Sequence, residues 1–170
     1  MDLSQFIREI PDFPENGILF KDITPLIGNA QAFKTSIEMM ADLCSDIKID
    51  HVLAIEARGY IFGSPLATKL NAGFIPVRKS GKLPYSTIKM EYGLEYGKDV
   101  MEMHADALKP GENVLIVDDV LATGGTLEAA AKLVEQTNAI VAGMLLLLEI
   151  EFLNGRSKLE GYRINTLMKC

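Results

Sequence analysis

The chain has 170 residues, 48% apolar and 24% charged, a composition that fits one globular domain and excludes a disordered or collagen-like chain. Seventeen basic against twenty-three acidic side chains give a formal charge of −6. General binding to nucleic acid, which needs a basic face to displace counterions, is therefore excluded, and any polyanionic ligand must be held by local positive charge.

Two cysteines, Cys44 and Cys170, are too few and too far apart for a disulfide framework or zinc knuckle. They read as a core thiol and a terminal thiol in a reducing compartment. The first ten residues, MDLSQFIREI, carry charges where a secretory signal needs its apolar stretch. The longest apolar run, residues 140–148, is about half the ~20 residues of a membrane-spanning helix. A soluble, cytoplasmic protein without a membrane partner is expected.

In chain order, Phe33, Ile37, Met40, Cys44 and Ile47 recur at steps of three or four and predict an amphipathic helix over 31–47. A short apolar run over 52–55 ends in EARG (56–59), followed by a helical stretch to residue 70 and a second run over 74–77. From 78 to 106 the core-forming runs stop and glycines recur at 81, 93 and 97. Within that segment, 87–92 and 100–103 alternate apolar and polar residues, predicting two strands of a hairpin. Its tyrosines and methionines suit packing within the hairpin or, by preference, against a partner subunit, since thin strands alone rarely hold together. An apolar run over 114–117, a turn, a helix over 126–136 and the run over 140–148 complete the pattern.

Unalternating apolar strands separated by helices predict a parallel α/β sheet buried on both faces. Ligands of such sheets sit beyond the carboxyl ends of the strands. Residues 56–59, 78–82 and 118–126 are thus expected along one rim.

The strongest chemical signal is VLIVDDVLATGGT (114–126). Four apolar residues deliver Asp118 and Asp119 to a strand end, and a small, glycine-rich turn then opens a helix. A helix N-terminus offers unpaired N–H groups and a positive dipole end, which suits a phosphate monoester. Ala122, Thr123, Gly124, Gly125 and Thr126 form this turn, with the two carboxylates placed to accept hydrogen bonds from sugar hydroxyls. Neither G-x-x-x-x-G-K-[ST] nor G-x-G-x-x-G is present. The plainer alternative is a helix capped by Thr123 with solvated aspartates; the paired aspartates after four apolar residues weigh against it. Arg78, Lys79, Lys82 and Lys89, with no acidic residue among them and Arg58 on the neighbouring strand end, form a basic cluster that suits a leaving group on which negative charge grows. A solvated basic loop is the alternative. Ser64 lacks a nucleophile elbow and a histidine partner, and the isolated His51 and His104 read as surface or structural residues.

The 114–126 segment resembles the diphosphosugar-binding signature of the type I phosphoribosyltransferases. PDFP (11–14) with GILFKDITP (17–25), then EARG (56–59), RKSGKLP (78–84) and LEYGK (94–98), are similar in order to the loops of the adenine-using branch. The resemblance covers nearly the whole chain. It implies a single domain over 1–170, with a purine-side hood over 1–30 and a flexible lid over 80–106. It implies transfer of a phosphoribosyl group from 5-phosphoribosyl 1-pyrophosphate (PRPP) to adenine, giving AMP and pyrophosphate. Adenine is expected at Leu19, Phe20 and Lys21, with Lys21 where some relatives carry arginine. Pyrophosphate is expected at Glu56, Ala57, Arg58, Arg78, Lys79 and Lys82, with a non-proline cis peptide at Glu56–Ala57. Ala122 replaces the aspartate of relatives that use hypoxanthine or guanine. Glu95 is expected to assist proton transfer on adenine and Tyr96 to seal the site, although the residues alone read equally well as an exposed hairpin tip. Mg²⁺ bound mainly through substrate and water, with no direct protein ligand, and a homodimer are also implied. Transcription regulators on the same fold usually add a DNA-binding domain or a basic surface, for which this chain has neither room nor net charge.

Overall fold

The computed structural model describes residues 1–93 and 99–170. It divides into two compact units, Met1–Met39 and Met40–Cys170. The first extends beyond the hood expected over 1–30, its boundary falling inside a helix.

In the first unit, β1 (Arg8–Pro11) and β2 (Leu19–Asp22) form an antiparallel two-stranded sheet, with Arg8 opposite Asp22 and Pro11 opposite Leu19. The short α1 (Thr24–Gly28) follows, with proline in its first turn, where a missing N–H costs nothing. α2 (Ala30–Asp42) then begins and crosses into the second unit. It stops five residues short of the predicted end. Beyond Asp42 the backbone closes three-residue turns, Cys44 N–H to the Ala41 carbonyl and Ile47 N–H to the Cys44 carbonyl. Tight turns thus bury Cys44, which is 1% exposed, without continuing the α-helix.

The second unit carries β3 (His51–Ile55), α3 (Arg58–Lys69), β4 (Gly73–Lys79), β5 (Thr87–Tyr92), β6 (Asp99–His104), β7 (Asn113–Leu121), α4 (Gly125–Gln136), β8 (Ile140–Glu149) and β9 (Ile164–Lys169). Seven strands make one sheet in the order β5-β6-β4-β3-β7-β8-β9. The five from β4 to β9 run parallel, while β6 is antiparallel to β4 and to β5. Val52, Leu53, Ala54, Val114, Ile116 and Val117 are all 0% exposed. This burial on both faces explains their unbroken apolar runs. Emptying one such site, as in Leu53→Ala, costs about 2–5 kcal/mol.

The hairpin is stitched to the sheet through Arg78 opposite Glu102 and Lys79 opposite Met101. Met101 and Met103 are buried in this chain's own core, and Met90 and Tyr92 pack against it, which corrects the preference for a partner subunit as their cover. β9 escaped the sequence reading because INTLMK mixes polar residues into a strand that is only partly buried. Among the described residues no helix is long and apolar enough to cross a membrane.

Chain order and sheet order diverge at β3. The chain proceeds from β3 to β4 on one side, while β7 occupies the other. Such a switch point opens a crevice outside the strands' carboxyl ends, where ligands of open α/β sheets bind.

Candidate functional site

β7 ends at this crevice, and its apolar stretch delivers the two carboxylates. Asp119 is buried, and Asp118 accepts the Asp119 N–H at 2.9 Å through Oδ1. Burial, then repulsion from Asp119, holds the Asp118 carboxyl well above the usual carboxylate range. Burial raises Asp119 too, opposed by the Arg58 charge. Arg58 Nε lies 2.8 Å from Asp119 Oδ2. That oxygen nevertheless accepts no aligned hydrogen bond among the described residues. A buried carboxylate oxygen with an open lone pair suits a sugar hydroxyl.

After Leu121 the chain turns through Ala122, Thr123 and Gly124 into α4. Gly124 is the N-cap, at φ 83°, and no side chain caps the helix. Thr123 is therefore not spent as a cap, which removes the plainer reading of this turn. The N–H groups of the first helical turn are available to an anion, and the macrodipole favours one there. Asp118, Ala122, Thr123, Gly124 and Thr126 line a cavity of about 60 Å³. A wider cleft of about 350 Å³ is lined by Gly125, Glu91, Glu128, Lys132 and Lys158, with carboxylates and ammonium groups in equal number.

The loop is braced from behind. A Cβ on Gly124 would lie 2.4 Å from the Gly155 carbonyl oxygen, and one on Gly155 would lie 2.2 Å from that of Ala122. Only two glycines permit this backbone approach. Gly155 is fixed by its neighbour Arg156, whose Nε and Nη2 each donate to Glu149 at 2.7 Å.

Across the crevice β3 ends in the turn of Glu56 and Ala57, joined by the expected non-proline cis peptide, and α3 starts at Arg58. Ala54 pairs with Val117 in the parallel ladder, so residues 56–58 and 118–119 emerge side by side. Gly59 makes the approach possible, because a Cβ there would lie 3.0 Å from Asp118 Oδ1. Sequence reasoning quoted Gly59 within its motif but gave it no role; a small residue after a strand-end arginine was the available signal.

Glu56 pairs with Arg78 at the end of β4. Arg78 also donates through Nη1 to the Lys82 carbonyl at 3.2 Å. Lys79 Nζ lies 3.4 Å from Asp99, both largely exposed. Tyr60 donates its hydroxyl to the Val77 carbonyl at 3.0 Å. Burial, then the Glu56 charge, pushes its phenol up to about 12, so it stays a donor that ties α3 to β4.

The structure therefore gathers Glu56, Ala57, Arg58, Arg78, Asp118, Asp119 and the 122–126 turn at the ends of β3, β4 and β7, with Lys79 and Lys82 on the adjoining segment. Leu19, Phe20 and Lys21 lie on β2 of the first unit. Phe20 meets Phe13 edge-on, with centroids 5.1 Å apart, and the Lys21 ammonium pairs with Glu9. Glu95 and Tyr96 fall outside the described residues. His51 pairs with Glu112 at 3.1 Å, in the structural role expected of it.

Residues 27–158 match the family model described as "Phosphoribosyl transferase domain". The chain is 55% identical over 168 residues to an adenine phosphoribosyltransferase of Pseudothermotoga lettingae, covering 99% of each. It is similar to the crystal structure of adenine phosphoribosyltransferase from Thermoanaerobacter pseudethanolicus, with a TM-score of 0.97, 54% identity and 99% of this chain and 98% of that one covered. The enzyme from Saccharomyces cerevisiae, solved with an imino-altritol bisphosphate and adenine, gives a TM-score of 0.92 at 41% identity, over 98% of this chain and 96% of that one. With the crevice, the uncapped glycine-rich turn and these likenesses in agreement, the chain belongs to the phosphoribosyltransferase family, in its adenine phosphoribosyltransferase branch.

Proposed function

We propose that this chain transfers the phosphoribosyl group of PRPP to adenine, releasing pyrophosphate, with the residues at the β3–β7 crevice holding the diphosphosugar. The observation that carries this reading is the uncapped N-terminus of α4, opening onto a phosphate-sized cavity beside Asp118 and Asp119. Residues 122–126 bind the 5′-phosphate. The carboxylates accept the ribose hydroxyls, and their negative field favours the cationic ring as the anomeric C–O bond breaks. The bond's electron pair leaves with pyrophosphate, facing Arg58, Arg78, Lys79, Lys82 and the Glu56–Ala57 turn. Adenine N9 forms the new C–N bond and loses its proton, a transfer assigned to Glu95, while Tyr96 helps exclude water. Binding energy at the remote phosphate orients the reacting carbon.

The purine is read by Leu19, Phe20 and Lys21. Because the Lys21 ammonium is engaged by Glu9, its part is assigned to backbone, which makes lysine or arginine acceptable there. Among the described residues no three His, Cys, Asp or Glu side chains group as a metal site. Mg²⁺ is assigned to substrate oxygens and water, as this ion favours at phosphates, where it would supply charge neutralisation at the pyrophosphate. The working form is read as a cytoplasmic homodimer, to which exposed Phe74 and Tyr85 would contribute apolar surface.

The test is product formation from PRPP with Mg²⁺ across a panel of purine bases. AMP formed from adenine in strong preference is expected. Turnover of hypoxanthine or guanine alone would overturn the base assignment, which rests on Ala122 and on the 19–21 segment.

A further inference from the structure

Glu102 has no place in the reading above, yet it is one of the few charged residues in the core, 2% exposed. It sits on β6, opposite Arg78 on one side and Lys89 on the other. Its Oε1 accepts three successive backbone N–H groups, from Gly81 at 2.9 Å and from Lys82 and Leu83 at 3.2 Å each. Its Oε2 accepts the Thr87 hydroxyl at 3.1 Å, with the Lys89 ammonium 3.5 Å away. A buried carboxylate is tolerated only when it is satisfied to this degree.

Successive N–H groups converging on one point form a cradle that elsewhere binds phosphate oxygens. Here the cradle is filled by the chain's own carboxylate. Two consequences follow. The backbone of residues 81–83 has no donors left for a substrate anion, so the anion affinity of this segment resides in side chains. The stem from which Lys82 projects is also fixed twice, by Glu102 through its N–H and by Arg78 through its carbonyl.

We propose that Glu102 is a positioning residue for the pyrophosphate end of the site, holding Gly81–Leu83 in the one shape that presents Lys82 to the leaving group. This rests on the assignment of Lys82 to pyrophosphate. The informative variant is Glu102→Gln, which keeps the shape but removes the charge and places an NH₂ donor, in place of an acceptor oxygen, beside the Lys89 ammonium. It is read against Lys82→Ala and the double variant, using KM for PRPP, inhibition by pyrophosphate, KM for adenine and affinity for ribose 5-phosphate, which lacks the pyrophosphate.

KM for PRPP and the pyrophosphate inhibition constant are expected to rise about three- to tenfold in Glu102→Gln. Adenine KM and ribose 5-phosphate affinity should stay within twofold, and the double variant should be no worse than Lys82→Ala. An equal loss of ribose 5-phosphate affinity, or additive effects in the double variant, would overturn positioning through Lys82. If Lys82→Ala itself leaves pyrophosphate affinity intact, the underlying assignment fails instead. Thr87→Val, which removes one hydroxyl from the carboxylate and leaves its charge, covers the case of a Glu102→Gln chain that does not fold. It should shift the same two constants in the same direction by a smaller factor, and no shift would overturn the proposal.

Discussion

Arg58 reaches across the seam between β3 and β7 and sets its Nε 2.8 Å from Asp119 Oδ2. This contact joins the two halves of the crevice, the turn with the cis peptide and the carboxylate end of β7. Arg58 keeps 43% of its side chain exposed while Asp119 keeps 5%, so one partner faces solvent and the other anchors. In the proposed reading the arginine turns toward the pyrophosphate while sharing itself with Asp119, which would couple the two ends of the diphosphosugar.

Asp119→Asn should therefore weaken PRPP binding without unfolding the chain. Losing a hydrogen bond to a charged group costs about 1.5–3 kcal/mol, or roughly ten- to 150-fold in affinity. Calorimetric titration with PRPP measures it. Unchanged affinity would remove the ribose from this carboxylate.

The elevated Asp118 carboxyl has a consequence for stability. Its folded-state pKa lies above its unfolded value, so ionisation is penalised in the folded chain. The penalty is complete above the folded pKa, shrinks as pH falls through it, and vanishes below the unfolded value. Asp118→Asn should accordingly raise the thermal midpoint at neutral pH, by about 2–4 °C for each kcal/mol relieved, and lose that advantage on acidification. Thermal unfolding of both proteins from pH 7 downward checks this; a pH-independent difference would contradict it. Stabilisation at the expense of ligand binding is common for strained sites.

The legibility of the site followed the chemistry of its parts. Asp118, Asp119 and the Gly-Gly turn were visible because four apolar residues before two carboxylates is a costly pattern to bury without purpose. Arg58 and Arg78 were visible because each lies within three residues of the end of a short apolar run, 52–55 and 74–77. Gly155 and Glu102 were not, since each acts on a loop distant in sequence, and no local pattern reports a backbone approach of 2.2 Å or a carboxylate filling a cradle of N–H groups. The fold divides in the same way. β3, β7 and β8 announce themselves by burial on both faces, whereas β9 and the β1–β2 pair, only partly buried, carry no such run.

Gly155→Ala offers a test of loop bracing at a residue outside the 122–126 turn. The new methyl would fall 2.2 Å from the Ala122 carbonyl oxygen and 2.9 Å from Leu121 Cδ1; the leucine can turn away, but the carbonyl oxygen is backbone and moves only with the turn. The turn must shift, and misplacement by ~1 Å can cost about a hundredfold in turnover. Steady-state assays should show kcat/KM for PRPP falling by more than tenfold, and wild-type kinetics would show that the brace is dispensable.

Arg156→Ala probes the same brace through its anchor and adds a pH signature. The Arg156 hydrogen bonds, then Thr166 and the charges of Arg156 and Lys169, pull the buried Glu149 below its usual range against the cost of burial. A depressed folded pKa stabilises the chain above the unfolded value, and the contribution is lost as pH falls through the folded one. Removing the guanidinium strands the carboxylate, at about 1.5–3 kcal/mol for a charged hydrogen bond. The loss should sit toward the lower end because 40% of the Arg156 side chain faces solvent and is screened. The variant should thus be less stable than wild type at pH 7, with the gap closing in acid. It should also bind PRPP more weakly, because Gly155 loses its fixed neighbour. Denaturant unfolding at pH 7 and pH 4, paired with PRPP titration, separates the two effects. A stability loss with unaltered PRPP affinity would mean that Gly155 is held in place without its neighbour's ion pair.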